Sequence, residues 1–211
     1  MLFNIPYLDQ LGTLFSLVTT YYYIRANSIA WKIGIIATTL NTLLYLSSHL
    51  YGQAFLESLY FFSMWYGLFQ WQSKSQSAER PITQLPNRHR IQLIGLSLCL
   101  IALCTGLINF FNSSPIAFWD AAILVLSLLA QWLLCKKIIE TWVVWFVVDI
   151  IIFGLHYHKS IHYHAALHLI YLAFAVFGLI SWYRKKMLYQ AKEVDAKTNH
   201  FNLKDKLKFD F

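Results

Sequence analysis

Charge is scarce in this chain: Asp, Glu, Lys and Arg make up only 13% of its 211 residues. A soluble domain carries about 25% charged and about 45–50% apolar residues, whereas 58% of this chain is hydrophobic. Once the apolar runs are set aside, no soluble domain of useful size is left, so the chain is read as a membrane protein. Cysteine is equally sparse. Cys99, Cys104 and Cys135 lie in or beside apolar runs without metal-ligand spacing, which excludes a disulfide framework. No phosphate-cradling P-loop, G-x-S-x-G elbow or H-E-x-x-H pair occurs, so neither an enzyme nor ATP-driven pumping by this chain alone is expected. No cofactor and no metal are expected either. There is no Lys or Arg before Arg25 and no small-residue cleavage pattern, which speaks against a cleaved signal peptide.

What the chain does have is long apolar segments. They fall at roughly 9–26, 29–49, 52–72, 91–110, 116–134, 138–156 and 162–183, each able to cross about 30 Å of hydrocarbon at about 1.5 Å per residue. Short polar breaks separate them, apart from one longer linker, SKSQSAERPITQLPNRHR, at 73–90. This layout places sixteen of the seventeen Lys and Arg on one side, with only Lys159 on the other. By the positive-inside rule the N-terminus is outside and the C-terminus cytoplasmic. The net charge of +7 therefore fixes topology and is not a nucleic-acid footprint. The tail from 187 onward is polar, short and mixed in charge, as a solvated or membrane-surface segment would be.

Sliding the chain by 111 residues reveals an internal echo. Trp31 meets Trp142, Ala54 meets Ala165, Tyr60 meets Tyr171, Gly67 meets Gly178 and Trp71 meets Trp182. Nine of the 44 pairs from 31/142 to 74/185 are identical. The expected fold is therefore all-α: seven transmembrane helices in a 3+1+3 arrangement of two parallel three-helix repeats. The first repeat is 1–72, the linker and connecting fourth helix 73–115, the second repeat 116–184, and the polar tail 185–211. Parallel repeats are a known plan for transporters, with the substrate site at their interface near the midplane.

Few residues inside the spans can do chemistry. In TWVVWFVVD (141–149), Trp142, Trp145 and Asp149 share one helical face at about 100° per residue. Span 3 carries Gln53, Glu57, Tyr60, Met64, Leu68 and Trp71 on one stripe, and the repeat puts His164, His168, Tyr171 and Trp182 on the matching face of span 7. Glu57 and Asp149 are the only acids clearly within spans; Glu140 points the other way, as a helix-start acid. A carboxylate in hydrocarbon costs about 3 kcal/mol on lenient scales, so these two serve either as protonated structural glue or as attractors of a cation or proton. Aromatic faces beside a carboxylate suit a flat organic cation. The histidines at 156, 158, 162, 164 and 168 could hold a metal but lack an accompanying Cys, and a polar cap is the plainer reading; His168 could instead titrate or bond a ligand.

FLESLYFFSMWYGLFQW (55–71), ETWVVWFVVD (140–149), LHYHKSIHYHAALHLIYLAFAVFGLISW (155–182) and RANSIAWKIGII (25–36) resemble, in order, signature segments of the PnuC vitamin transporters. The third-span signature of that family closes on Y-G-W-Y-x-W, and its sixth-span segment reads E-N-W-x-x-W-x-V-x-[DN]. The resemblance implies a fold distantly like the SWEET transporters, a homotrimer, a bacterial inner-membrane location and no enzymatic activity. It also implies facilitated diffusion of nicotinamide riboside, with a separate cytoplasmic kinase trapping the substrate; relatives carry thiamine or riboflavin. Carried over by motif, Trp142, Trp145 and Asp149 line the site with Glu57, Tyr60 and Trp71; the internal repeat, not the motif, adds His168 and Tyr171 from the matching face of span 7. Two departures stand out: Glu57 replaces a usual Gln, and Leu68 replaces the Trp of G-W-Y-x-W. A thiamine transporter is the first alternative, a His-rich sensor or metal-binding membrane protein the second, and proton coupling a further possibility.

Overall fold

In the computed structural model, residues 7–72, 81–111, 114–158 and 162–209 are described, with the side chains of 162–164 and 193–209 left aside. They form seven helices: α1 (Leu8–Ile24), α2 (Ile29–Ser47), α3 (Tyr51–Trp71), α4 (Asn87–Phe111), α5 (Ala117–Cys135), α6 (Thr141–His158) and α7 (His162–Phe209). Five of them, α2 and α4 to α7, are long and apolar enough to cross a membrane. The other two have physical reasons to fall short of that standard. α1 has only 17 residues, and the 21 residues of α3 include Gln53, Glu57, Ser58, Ser63 and Gln70.

The helices begin and end close to the polar breaks. α4 starts four residues before the expected span because Arg90 is held in its first turn, 2.7 Å from Glu140. α7 does not stop at the apolar boundary. Its backbone stays helical for 48 residues, about 72 Å at the helical rise, so the polar tail continues the helix as far as Phe209.

Three of the turns are built alike without glycine. Ala26, His49 and Lys137 have φ of 52°, 57° and 54°, the left-handed region that usually ends helices on Gly. After α1, Ala26 N–H donates to Tyr23 O at 2.8 Å and Asn27 N–H to Tyr22 O at 3.0 Å. After α5, Lys137 N–H donates to Leu134 O at 3.0 Å and Ile138 N–H to Leu133 O at 3.1 Å. This double bond pattern is a Schellman motif. Ala26 and Lys137 stand 111 positions apart.

α2 packs between α1 and α3, and α6 packs against both α5 and α7. The two groups meet where α3 lies on α5 and α1 lies on α7. α4 touches only α5 among the described residues. Their seam is built on Ala121, Ala122, Val125 and Ile101, and the two alanines let the helices approach closely.

The main core is an aromatic layer at the basic end. Trp31, Trp71, Trp142 and Trp182 are all 4% exposed or less. Trp31 sets its ring edge-on to Trp71 at 5.2 Å, and Trp142 does the same to Trp182 at 5.5 Å. Each of the outer rings lies on a glycine: a Cβ on Gly67 would overlap the Trp31 ring, and one on Gly178 the Trp142 ring. The inner rings cross over. Trp71 Nε1–H donates to Leu134 O at 3.2 Å, and Trp182 Nε1–H donates to Tyr23 O at 2.9 Å. Every residue in this exchange has its counterpart 111 positions away.

The linker ahead of α4 is strapped to the same end. Thr83 bridges to the α5–α6 turn, donating to Lys137 O and accepting from Ile139 N–H, both at 3.0 Å. Glu140 takes Leu85 N–H at 3.1 Å and Arg90 Nε–H at 2.8 Å. It stands immediately before α6, the helix-start position expected of it.

Candidate functional site

A polar cluster lies toward the other end of the bundle from the aromatic layer. α6 sends Asp149 inward because Val148 and Asp149 sit on its buried face, at 0% and 6% exposure. One Asp149 oxygen lies 2.8 Å from Nδ1 of His168 on α7. The His168 ring is flanked by His156 at 5.4 Å and Tyr171 at 5.8 Å. Thr38 occupies the position equivalent to Asp149 in the first group, and its hydroxyl turns back to Gly34 O at 2.9 Å. The two groups therefore differ where it matters for charge.

From α3, Glu57 and Tyr60 approach the same region. Asn41 Nδ2 lies 3.4 Å from Glu57 Oε1 and 3.4 Å from Ser16 Oγ. Tyr60 meets the Trp145 ring edge-on at 6.4 Å, joining α3 to α6. The Tyr60 side chain approaches Ser127 of α5. Tyr171 approaches Ser16 of α1 in the same way. Both tyrosines lie within electrostatic reach of Glu57, Asp149 and Tyr45. Tyr60 and Tyr171 are 111 residues apart, as are Ser16 and Ser127, so each tyrosine reaches across to the opposite group.

Six helices thus converge on one buried site, and α4 stays outside it. Two carboxylates, a histidine, two tyrosines and a tryptophan ring surround it. α1, α3, α5 and α6 contain no Lys or Arg at all. A carboxylate with no Lys or Arg beside it in a low-dielectric interior attracts a cation, and the rings of Trp145 and Tyr60 stand near a flat one's path.

Of the eight residues expected from the sequence, the structure brings together Glu57, Tyr60, Trp145, Asp149, His168 and Tyr171. It places Trp71 and Trp142 in the aromatic layer instead. Trp142 precedes Asp149 by seven residues, about 10 Å along the helix, and its ring is 3% exposed against Trp182 and Gly178. Trp71 is held by Leu134 O and covered by the Lys137 ammonium 4.6 Å from its ring centre. Leu68, the departure from the expected Trp, lies in that layer too.

Sequence reasoning missed Ser16, Asn41, Tyr45 and Ser127. A signal for two of them existed: carrying the 111-residue offset back to α1 and α5 aligns Ser16 with Ser127. Asn41 and Tyr45 left no comparable trace, because isolated polar residues in an apolar helix do not declare which face is buried. Among the histidines, no group of three or more potential metal ligands forms among the described residues; the side chains of His162 and His164 lie outside them. Cys135 is a buried thiol 3.6 Å from Ser63 O, and Cys99 is exposed on α4.

Comparison with known proteins agrees with this architecture. A family profile described as "Nicotinamide mononucleotide transporter" matches residues 6–184. The "Nicotinamide riboside transporter PnuC" of Escherichia coli (strain K12) is 24% identical, over 76% of this chain and 80% of the relative. The protein of the same name from Shigella flexneri shows the same values. A solved structure described as "Crystal structure of the Vitamin B3 transporter PnuC" superposes with a TM-score of 0.72 at 18% identity. It covers 87% of this chain and 83% of that one.

Proposed function

From the premise that this chain belongs to the nicotinamide mononucleotide transporter family, and is a multi-pass membrane transporter rather than an enzyme, we propose that it takes up nicotinamide riboside. The observation that carries the substrate class is the convergence of Glu57 and Asp149, without Lys or Arg, beside the Trp145 and Tyr60 rings. Nicotinamide riboside is a flat pyridinium cation bearing a polyhydroxyl sugar. Asp149 and Glu57 balance its charge, Trp145 and Tyr60 cover its ring, and Asn41, Ser16 and Ser127 offer hydrogen bonds to its hydroxyls. Trp142 and Trp71 form the floor that closes the site toward the basic end. Thiamine, also an aromatic cation, is the second candidate because the same two carboxylates suit it.

In this reading all seven helices span the bilayer as two three-helix units joined by α4, with the N-terminus outside and the basic end in the bacterial cytoplasm. Reciprocal contacts support it: Trp71 to Leu134 O and Trp182 to Tyr23 O tie the units at the basic end, and Tyr60 approaches Ser127 as Tyr171 approaches Ser16 beside the site. Alternating access then requires the two Trp bonds to part while the units rock about the site. Transport is downhill, a separate cytoplasmic kinase traps the product, and the assembly is a homotrimer.

Binding of nicotinamide riboside to the purified protein tests the substrate and the site together. Asp149→Asn removes one full charge, and a loss of tenfold or more, about 1.4 kcal/mol, is expected. Trp145→Ala removes a cation–π contact of about 0.5–2 kcal/mol, about threefold to thirtyfold. Wild-type affinity in both variants would move the site elsewhere.

A further inference from the structure

Asp149 is already engaged before any ligand arrives. Its Oδ1 lies 2.8 Å from His168 Nδ1, with side-chain exposures of 9% and 16%. A protonated His168 neutralises the carboxylate that a cationic substrate needs. We infer that His168 and the substrate cation compete for Asp149, so that binding drives a proton off His168. This rests on the functional reading above and adds its regulation.

The physical steps are few. With His168 charged, Asp149 is half of a neutral pair, and only Glu57 keeps its charge for the ligand. When the pyridinium docks on Asp149, the imidazolium loses its counter-charge in a site that water barely reaches. Its Nδ1 proton then leaves for solvent, and neutral His168 remains. No bond other than N–H is broken, and the total charge of the site is unchanged by the exchange.

The groups facing His168 make this specific. From α6 they are Asp149 and His156, whose ring is 5.4 Å away. From its own helix comes Tyr171, at 5.8 Å. α1 turns Ser16 to Tyr171, and Glu57 of α3 and Tyr45 of α2 lie within electrostatic reach of that same tyrosine. His156 lies toward the α6–α7 turn, next in line for a departing proton. The first group has no such device: its equivalents of Asp149 and His168 are Thr38 and Glu57, and Glu57 is met by Asn41 instead. The proton-linked half of the site is therefore the α6–α7 half alone.

Linkage fixes the sign. Because ligand and proton compete for the Asp149–His168 pair, affinity weakens as pH falls, by up to about tenfold per pH unit. The experiment is calorimetric titration of the full-length protein with nicotinamide riboside, and separately with thiamine, in buffers of different ionisation enthalpy from pH 5 to 8. Wild type should release up to one proton per cation bound, more toward the acid end of the series than toward its alkaline end. His168→Gln keeps a hydrogen bond to Asp149 but cannot titrate, so its proton release and acid weakening should vanish. His156→Gln should retain both. A purely structural His168 would alter affinity or stability but not the proton count. Binding by wild type without proton release overturns the inference and leaves the functional reading standing, as does release that survives His168→Gln or disappears with His156→Gln. Failure of both cations to bind at every pH overturns the functional reading and this one with it.

Discussion

The four buried tryptophans allow one substitution to be compared at four matched places. Trp71 and Trp182 each donate Nε1–H to a carbonyl of the opposite group, at 3.2 and 2.9 Å. Trp31 and Trp142 are just as buried, yet their Nε1–H groups find no hydrogen-bond partner among the described residues. Trp→Phe trims a similar volume at each site but removes a bond at only two. The carbonyls left behind are not orphaned: Leu134 O still accepts Lys137 N–H, and Tyr23 O still accepts Ala26 N–H. The lost bond therefore costs only its net value, about 1 kcal/mol, whereas relieving a buried unpaired donor at Trp31 or Trp142 returns about 1 kcal/mol or more. Trp71→Phe and Trp182→Phe should then lie about 2 kcal/mol below Trp31→Phe and Trp142→Phe. On the usual scaling for chains of this length that is about 4–8 °C in unfolding temperature, read by fluorescence or dye binding in detergent. The same two variants should also open the basic end more often, seen as faster thiol labelling of a cysteine introduced there. If the two pairs lost equal stability, the crossed bonds would not join the groups in the way argued, and the gating role built on them would fall.

Two further outcomes follow from the same layer. Gly67→Ala and Gly178→Ala push a methyl into the Trp31 and Trp142 rings, where overpacking costs about 1–3 kcal/mol; Gly95→Ala on α4 meets open space and should cost nothing in the same unfolding assay. Glu140→Ala releases both Leu85 N–H and Arg90 from the strap, a partly exposed contact of about 1 kcal/mol. It should speed limited proteolysis within 81–90 while leaving nicotinamide riboside binding unchanged.

Much of the architecture was legible because membrane helices advertise themselves. Hydropathy and the Lys/Arg sorting located the first six helices and the start of the seventh within a few residues, since a segment in hydrocarbon must satisfy its own backbone; the 26 further helical residues of α7 to Phe209 lie beyond the apolar run. The 111-residue offset in the sequence aligns Gly67 with Gly178, and at both a Cβ would overlap an indole ring. Asp149 and Glu57 stood out because a carboxylate is costly at such depth. Less legible was the division of the tryptophans. Trp142, Trp145 and Asp149 share a helical face, but one face extends over two turns and spans two environments: Trp145 meets Tyr60 near the acids, while Trp142 is locked against Trp182.

By itself the sequence determined the membrane setting, the apolar helical segments and the breaks between them, the acids that need a reason to be buried and the segments that carry the family resemblance. These follow from local quantities: hydropathy, charge order and spacing along one helix. Only the tertiary structure decided who meets whom. The crossing of Trp71 to Leu134 and of Trp182 to Tyr23, the approach of Tyr60 to Ser127 and of Tyr171 to Ser16, and the contact of His168 with Asp149 all involve different helices. Periodicity assigns a residue to a face but leaves open which neighbour that face will find, because that depends on how the helices dock and at what height.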